Sequence, residues 1–225
     1  MLLKLALRNI LRQKRRSLLT GLSISGGFVL SIFSFSLTEG TYENAIDFFT
    51  RDYTGHIQIH SGDYHEKPKI YKTISQPDTI EALIENESRI KTFAPRIFAP
   101  ALAYAGSETS VVSVIGVDPF RESKASRIEE KVRSGIYFDQ ELNGSGLAKV
   151  MIGVGISVSL DIGVGDEIVL ISQGANGSIA NDLFEVVAIV GTKSSFDNTV
   201  VYLPIEVAQN FLSIPNEVQE YVLLA

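Results

Sequence analysis

The longest hydrophobic stretch of the chain is an uncharged run over residues 17–38. As an α-helix rising 1.5 Å per residue it would reach about 33 Å, which exceeds the roughly 30 Å hydrocarbon core of a bilayer. We therefore predict a transmembrane helix over residues 17–38. A cleaved signal peptide is the competing interpretation, but its apolar core runs only about 7–15 residues and ends at a small-x-small site. The residues at the end of this run, 35–40, offer no good site of that kind.

The segment before this run, residues 1–16, has the pattern of a basic amphipathic helix. Leu3, Leu7 and Ile10 lie on one helical stripe, and basic side chains recur four apart on the next. Such a helix suits the cytoplasmic lipid surface, because segments rich in Lys and Arg stay on that side of a membrane. The residues predicted to hold this surface are Lys4, Arg8, Arg12, Arg15 and Arg16. An ordinary positive flank of a membrane span is the simpler alternative.

Two further patterns concern how the predicted span meets its surroundings. Small residues four apart allow close approach of helix backbones in lipid. The residues predicted to pack in this way are Gly21, Ser23, Ser25 and Gly27. Beyond the span, Tyr42, Ile46 and Phe49 recur at helical spacing. We predict a stalk helix over residues 39–51, in which these three side chains couple the span to the rest of the chain.

Residues 52–225 carry shorter, mixed patterns that predict a strand-rich α+β domain without the regular βαβ rhythm of a doubly wound sheet. Pro77 is predicted to open a helix, and the charged residues 123–133 predict a surface helix. Residues 90–105 are predicted to be extended, with Pro95 and Pro100 limiting them to sheet edges or bends. Strands are predicted over 55–60, 110–117, 149–152, 167–172, 183–191, 199–203 and 219–224, and a hairpin tip over 174–177.

The distribution of charged residues divides the chain at the same place as the distribution of hydrophobic residues. The net charge is −6, yet six of the 20 basic residues lie within residues 1–16, which contain no acid, so the remainder has a marked acidic excess. An acidic domain argues against a nucleic-acid partner. The absence of cysteine excludes disulfides, thiolate zinc sites and cysteine nucleophiles.

Motifs for catalysis or cofactor binding are not found in this sequence. It has no P-loop, and Gly153 and Gly155 lack the third glycine of a dinucleotide fingerprint. His56 and His60 would lie about 13 Å apart on a strand, too far for one metal ion. We predict no catalytic, cofactor-binding or metal-ligating residue in this chain.

The opening residues 5–20 (LALRNILRQKRRSLLT) resemble those of ABC permeases of the MacB, LolC/LolE and FtsX superfamily. Later segments that also resemble the family follow in the expected order, namely 55–59, 162–168 and 201–209. The resemblance is closest in layout to LolC/LolE. It implies a periplasmic core domain over 52–225, with a Porter subdomain of split βαβ type at about 52–98 and 200–225. A strand-rich Sabre subdomain would occupy about 99–199.

The same resemblance implies a bacterial inner-membrane protein with a cytoplasmic N-terminus and a periplasmic main domain. ATP would bind a separate cytoplasmic ABC ATPase subunit, with no cofactor in this chain. A second permease subunit, identical or different, and membrane lipid would be the other partners. Because the family usually has four spans, this chain would be a fragment, or the missing half would lie on another polypeptide.

The cargo implied by the resemblance is a lipoprotein, or another substrate of the periplasm or outer leaflet. A periplasmic lipoprotein carrier would contact the hairpin through Gln173, Asn176 and Gly177. This hairpin is shorter than the family's hook and lacks its proline and arginine, which leaves the cargo open. Two alternatives remain, a signal-anchored periplasmic binding or sensing module without an ATPase, and a membrane-tethered periplasmic enzyme.

Overall fold

A computed structural model of the protein describes residues 8, 12–138, 146–192 and 195–225. The chain divides into two units, Met1–Phe48 and Phe49–Ala225, each with its own internal contacts. Most of the predicted amphipathic segment, including Lys4, lies outside the described residues.

The first unit contains a long helix, α1, over Lys14–Phe49. None of its 36 residues is buried, and by length and composition it is able to cross a membrane. Four of its hydroxyl groups donate back to main-chain oxygens four residues earlier, at 2.8–2.9 Å; the donors are Ser23, Ser31, Thr38 and Thr41. The helix therefore satisfies these polar groups by itself, as an apolar solvent requires.

The second unit is an α+β domain, as predicted. Its helices are α2 (Pro77–Glu85), α3 (Pro119–Ala125), α4 (Val154–Leu160) and α5 (Ile205–Leu212). Its strands are β1 (Ile57–His60), β2 (Thr92–Ala105), β3 (Glu108–Val117), β4 (Val132–Gly135), β5 (Ala148–Gly153), β6 (Glu167–Gln173), β7 (Ile179–Val190), β8 (Val200–Pro204) and β9 (Glu220–Leu224).

Most strands of the domain close into a ring. The main sheet runs β1-β9-β2-β3-β8-β5-β7-β4, and β6 joins β7 back to β2. The ring is therefore β2-β3-β8-β5-β7-β6. Small side chains of β2, such as Ala101 and Ala103, share its core with larger ones such as Phe184 and Leu170. Helices α4 and α5 contribute Ile156 and Leu212 to the same core, which fixes the ring by close packing.

A second, smaller core lies where β2 extends beyond the ring. There β2 pairs with β9, and β9 pairs with β1, all antiparallel. Phe93 and Tyr221 from these strands pack edge to face at 6.0 Å, and Ile84 of α2 joins their cluster. Strand β2, the longest strand described, thus belongs to both parts of the domain.

One prediction for this domain is wrong in part, and another is confirmed. The helix predicted over 123–133 is instead the short α3, which begins at Pro119 because the Asp118 carboxylate accepts from the amides of Phe120 and Arg121. Each of the two prolines lies where β2 has one registered neighbour, β9 beside Pro95 and β3 beside Pro100. Both prolines therefore lie at local edges of the sheet, as predicted.

Candidate functional site

The described residues that were predicted to act at or before the span are exposed. These are Arg8, Arg12, Arg15 and Arg16, and the small residues at 21, 23, 25 and 27. A Cβ added at Gly21 or Gly27 would meet none of the described residues within 4 Å.

The predicted stalk side chains Tyr42, Ile46 and Phe49 are also exposed, by 65%, 63% and 51% of their surfaces. All three belong to α1, which ends at Phe49.

The hairpin predicted to contact a partner is formed by β6 and β7, and its tip is anchored. The Ala175 amide donates to the main-chain oxygen of Leu212 at the end of α5, at 2.8 Å. The Asn176 side chain accepts from Ser178 across the turn. Gln173, Asn176 and Gly177 nevertheless remain exposed, beside an Ile179 side chain that is 81% exposed.

Residues Thr50–Thr54, which we call the joint, form a π-helical turn that continues α1. The Gly55 amide closes this turn by donating to the main-chain oxygen of Thr50 at 2.8 Å. Gly55 has φ +64°, and a Cβ there would collide with Val222 and lie 2.8 Å from the oxygen of Leu223. Only glycine fits this close approach to β9. The π-helix is rare and occurs frequently at functional sites.

The joint is held on the domain by a buried arginine. Arg96 of β2 donates from Nε and Nη2 to the Glu122 carboxylate of α3, at 3.1 and 2.7 Å. Its Nη1 donates to the main-chain oxygen of Tyr53. Burial opposes the charge of Arg96, but the Glu122 carboxylate outweighs burial and raises the pKa of Arg96. The guanidinium therefore remains charged and binds both partners at once.

The Tyr53 side chain makes a second set of contacts. Its ring packs edge to face on Phe196 at 5.0 Å, and the Lys131 ammonium lies 4.7 Å from the ring centroid. Its hydroxyl donates to Asp197 at 3.5 Å, and Asp197 also binds Lys131 at 3.2 Å and Tyr202 at 2.6 Å. These groups surround a cavity of about 220 Å³, which Arg96, Glu122 and Glu220 also line.

Glu220 is the least well paired acid of this cavity. Its carboxylate lies 3.4 Å from Nε2 of Gln58 and 3.7 Å from Nε2 of His60. Burial raises the pKa of Glu220 to about 7, the positive charge of Arg96 opposes this shift, and the charge of Glu122 adds to it. Glu220 thus changes its charge near neutral pH, inside the same polar interior.

Tyr53, Arg96 and Glu122 were missed in the sequence. The helical spacing of Tyr42, Ile46 and Phe49 extends to Tyr53, so one signal for it was present. Arg96 and Glu122 carry no local signal, because they are 26 positions apart in the sequence and meet only in the folded domain.

The remaining candidate residues have structural roles. His60 stacks on Tyr64 and lies near His65, whereas His56 accepts from the Ala225 amide. Among the described residues, no three His, Asp or Glu side chains are grouped to hold a metal ion. A Cβ on Gly153 would lie 2.6 Å from the oxygen of Asn198, so this glycine allows the 196–199 segment to approach α4.

Comparison with known proteins places these features in one family. A sequence profile of the MacB-like periplasmic core domain matches residues 17–225. The lipoprotein-releasing system transmembrane protein LolE of Haemophilus influenzae is 29% identical over 163 residues, which cover 70% of this chain and 37% of LolE. The chain therefore spans little more than a third of that relative.

Solved structures with the same fold include a domain of the ABC-type transporter YknZ and the periplasmic region of MacB. The extracellular domain of YknZ from Gram-positive bacteria superimposes with a TM-score of 0.54 at 12% identity, over 75% of this chain and 81% of YknZ's. The periplasmic region of MacB from Actinobacillus actinomycetemcomitans gives 0.54 at 10% identity, over 74% and 72%.

Proposed function

The chain belongs to the MacB-like periplasmic core domain family, and from this we propose that it is a transmembrane permease subunit of a mechanotransmitting ABC complex. The observation that carries the proposal is the family match over 17–225, which includes both the apolar helix and the folded domain. A helix with no buried residue, followed by a domain with a closed core, supports the same conclusion.

In this proposal, the energy comes from a separate cytoplasmic ATPase subunit that binds ATP, and this chain holds no cofactor. The N-terminus lies in the cytoplasm of a bacterial cell with the main domain in the periplasm, because the basic residues precede the helix and acidic ones follow it. Arg8, Arg12, Arg15 and Arg16 contact lipid headgroups at the cytoplasmic surface.

A second permease subunit, identical or different, would pack on α1. The stripe of Gly21, Ser23, Ser25 and Gly27 suits such a neighbour, since a Cβ at either glycine meets nothing within 4 Å in the part of the chain that the structure describes. Close helix contact in the membrane is a means to pass movement from one subunit to another.

We further assign the domain to two subdomains, Porter at about 52–98 and 200–225 and Sabre at about 99–199. The course of β2 supports this division, because its first residues pair with β9 and its last pair with β6. The cargo is a lipoprotein or another periplasmic or outer-leaflet substrate. The name of the LolE relative supports the first, and the exposed hairpin residues Gln173, Asn176 and Gly177 are the candidate contact for a carrier.

The test is affinity purification of the natively expressed, tagged protein from detergent, with mass spectrometry of all bound chains. We expect a P-loop ATPase and a second permease subunit. Gly21→Leu with Gly27→Leu should release the second subunit, whereas Gly21→Ala with Gly27→Ala, the matched control, should retain it. Recovery of this chain with no ATPase would replace the proposal with a signal-anchored binding or sensing module.

A further inference from the structure

We propose that Arg96, together with Glu122, is the positioning pair through which movement of α1 reaches the β-sheet. This inference rests on the proposed function, because it assigns the place where a mechanotransmitting chain would pass movement into its domain. The residues concerned are those of the joint and its contacts, not the exposed stalk side chains Tyr42, Ile46 and Phe49.

The first argument is that this ion pair is an unusual way to stabilise a domain. Both side chains are almost completely buried, at 8% and 3% exposure. Desolvation of two charges offsets most of their attraction, so apolar side chains of the same volume would stabilise the fold as well or better. What apolar side chains cannot do is hold a main-chain oxygen of another segment in a fixed direction.

The second argument is the geometry of the guanidinium. Two of its nitrogen atoms bind the Glu122 carboxylate, and the third donates to the main-chain oxygen of Tyr53. Because the group is planar and rigid, the position of Glu122 determines the direction of the third donor. Arg96 therefore binds the backbone of the joint itself, which follows α1 directly, and not a side chain that could rotate away.

The third argument concerns the strands that these contacts connect to the joint. Arg96 belongs to β2, which pairs with β9, β3 and β6. The Tyr53 ring rests on Phe196, in the turn that precedes β8, and the His56 amide donates to Leu223 of β9 at 2.8 Å. A displacement of the joint thus acts on three strands at once, two of them members of the closed ring.

Spin-label distance measurements test this proposal without requiring the ATPase. The chain has no cysteine, so Glu43→Cys on α1 and Asn181→Cys on β7 give two specific labels at exposed positions. The labelled full chain is placed in lipid nanodiscs, and the distribution of distances is measured by pulsed electron paramagnetic resonance. Arg96→Met with Glu122→Leu removes the pair while avoiding an unpaired buried charge.

The matched control is a neighbouring ion pair that also involves α3. Arg121 of α3 binds Glu81 of α2 at 2.8 Å, and their side chains are 28% and 24% exposed. Arg121→Met with Glu81→Leu removes this partly exposed charge pair and keeps Arg96, Glu122 and Tyr53. Arg96→Lys is the second test variant, because it keeps the charge beside Glu122 but lacks the fork that reaches Tyr53.

We expect both Arg96 variants to broaden the distance distribution relative to the wild type and the control to leave it unchanged, with thermal unfolding of the domain still cooperative. An unbroadened distribution in Arg96→Lys, or equal broadening in the control, would overturn the proposal. Because no ATPase takes part, failure of the permease assignment would show in the purification experiment and leave this result interpretable.

Discussion

Apolar side chains of the same type are exposed in the first unit of this protein and buried in the second. Phe28 of α1 is 66% exposed, whereas Phe184 inside the ring is fully buried. In the first unit the serine and threonine hydroxyls bind their own helix, and in the second, buried polar groups bind across the fold. By length and composition α1 is able to cross a membrane. In the proposed topology the two units therefore lie in two solvents, lipid for α1 and water for the domain.

Glycine provides the strongest contrast between the two units. Gly153→Ala would place a Cβ against the main-chain oxygens of Asp197 and Asn198, neither of which can rotate away. We expect a loss of more than about 5 kcal/mol, sufficient to unfold the domain. Gly21→Ala meets nothing within 4 Å and should leave domain unfolding unchanged.

Thermal unfolding of the full chain in detergent micelles measures both glycine variants. A stable, cooperatively folded Gly153→Ala domain would show that the close approach of residues 196–199 to α4 is wrong. Destabilisation of the domain by Gly21→Ala would show that α1 packs within this chain after all.

Charge provides the second contrast, since arginines on α1 are exposed and Arg96 is not. Arg96→Met alone leaves Glu122 buried without its partner, and we expect a cost of about 3–5 kcal/mol. Arg96→Met with Glu122→Leu should recover most of that loss. Denaturant titration of both variants is the measurement, with Arg16→Met as the exposed control; equal stability of the single and double variants would contradict the buried pair.

How much of this structure the sequence predicts depends on how local each signal is. The helix follows from an uncharged run, and most strands follow from alternation within a few residues. The ring does not, because it depends on β2 pairing with both β3 and β6, which are far apart in sequence. The charged residues 123–133 were predicted to form a surface helix, yet Ile128 among them is buried.

The candidate site shows the same limit. Tyr53 continues a visible helical spacing, but its neighbours come from β2, α3 and the segment before β8. Arg96 and Glu122 each look like ordinary surface charges in the sequence, because nothing local indicates burial. Gly153 and Gly155 resemble part of a phosphate-binding turn, whereas in the fold they admit the side chain and backbone of Asn198.

The third contrast concerns pH, to which the domain interior should respond through Glu220. Its pKa is raised from 4.5 to about 7, so the folded domain retains a proton that the unfolded chain loses. Stability contributed by this group is complete below about pH 4.5 and is lost as the pH rises through 7. Glu220→Gln should therefore stabilise the domain at pH 8 by up to about 3 kcal/mol, and by almost nothing at pH 4.5.

Denaturant titrations of the wild type and Glu220→Gln at both pH values test this prediction. The difference between the two proteins reports the titration of the Glu220 carboxyl together with its effect on His60, which lies 3.7 Å away and whose pKa burial lowers. A stability difference that does not change with pH would mean that the carboxyl group is ionised throughout. Glu206→Gln, at an exposed position, is the matched control.

The smallest expected effect lies at the joint. Tyr53→Phe removes the long hydrogen bond to Asp197 and keeps the ring on Phe196. We expect a loss of about 1 kcal/mol or less in domain stability, measured by thermal unfolding. A loss as large as that of Arg96→Met would mean that the hydroxyl, and not the main-chain oxygen, holds the joint.

Accessibility of single cysteines in intact cells tests most directly whether the two units lie in two solvents. Residues 1–225 contain no cysteine. Arg12→Cys therefore provides one reactive thiol before α1, and Asn181→Cys provides one after it. With the outer membrane permeabilised, a membrane-impermeant maleimide should label Asn181→Cys at once and Arg12→Cys only after the inner membrane is broken. Equal labelling of both thiols in intact cells would contradict a helix that crosses the membrane between them.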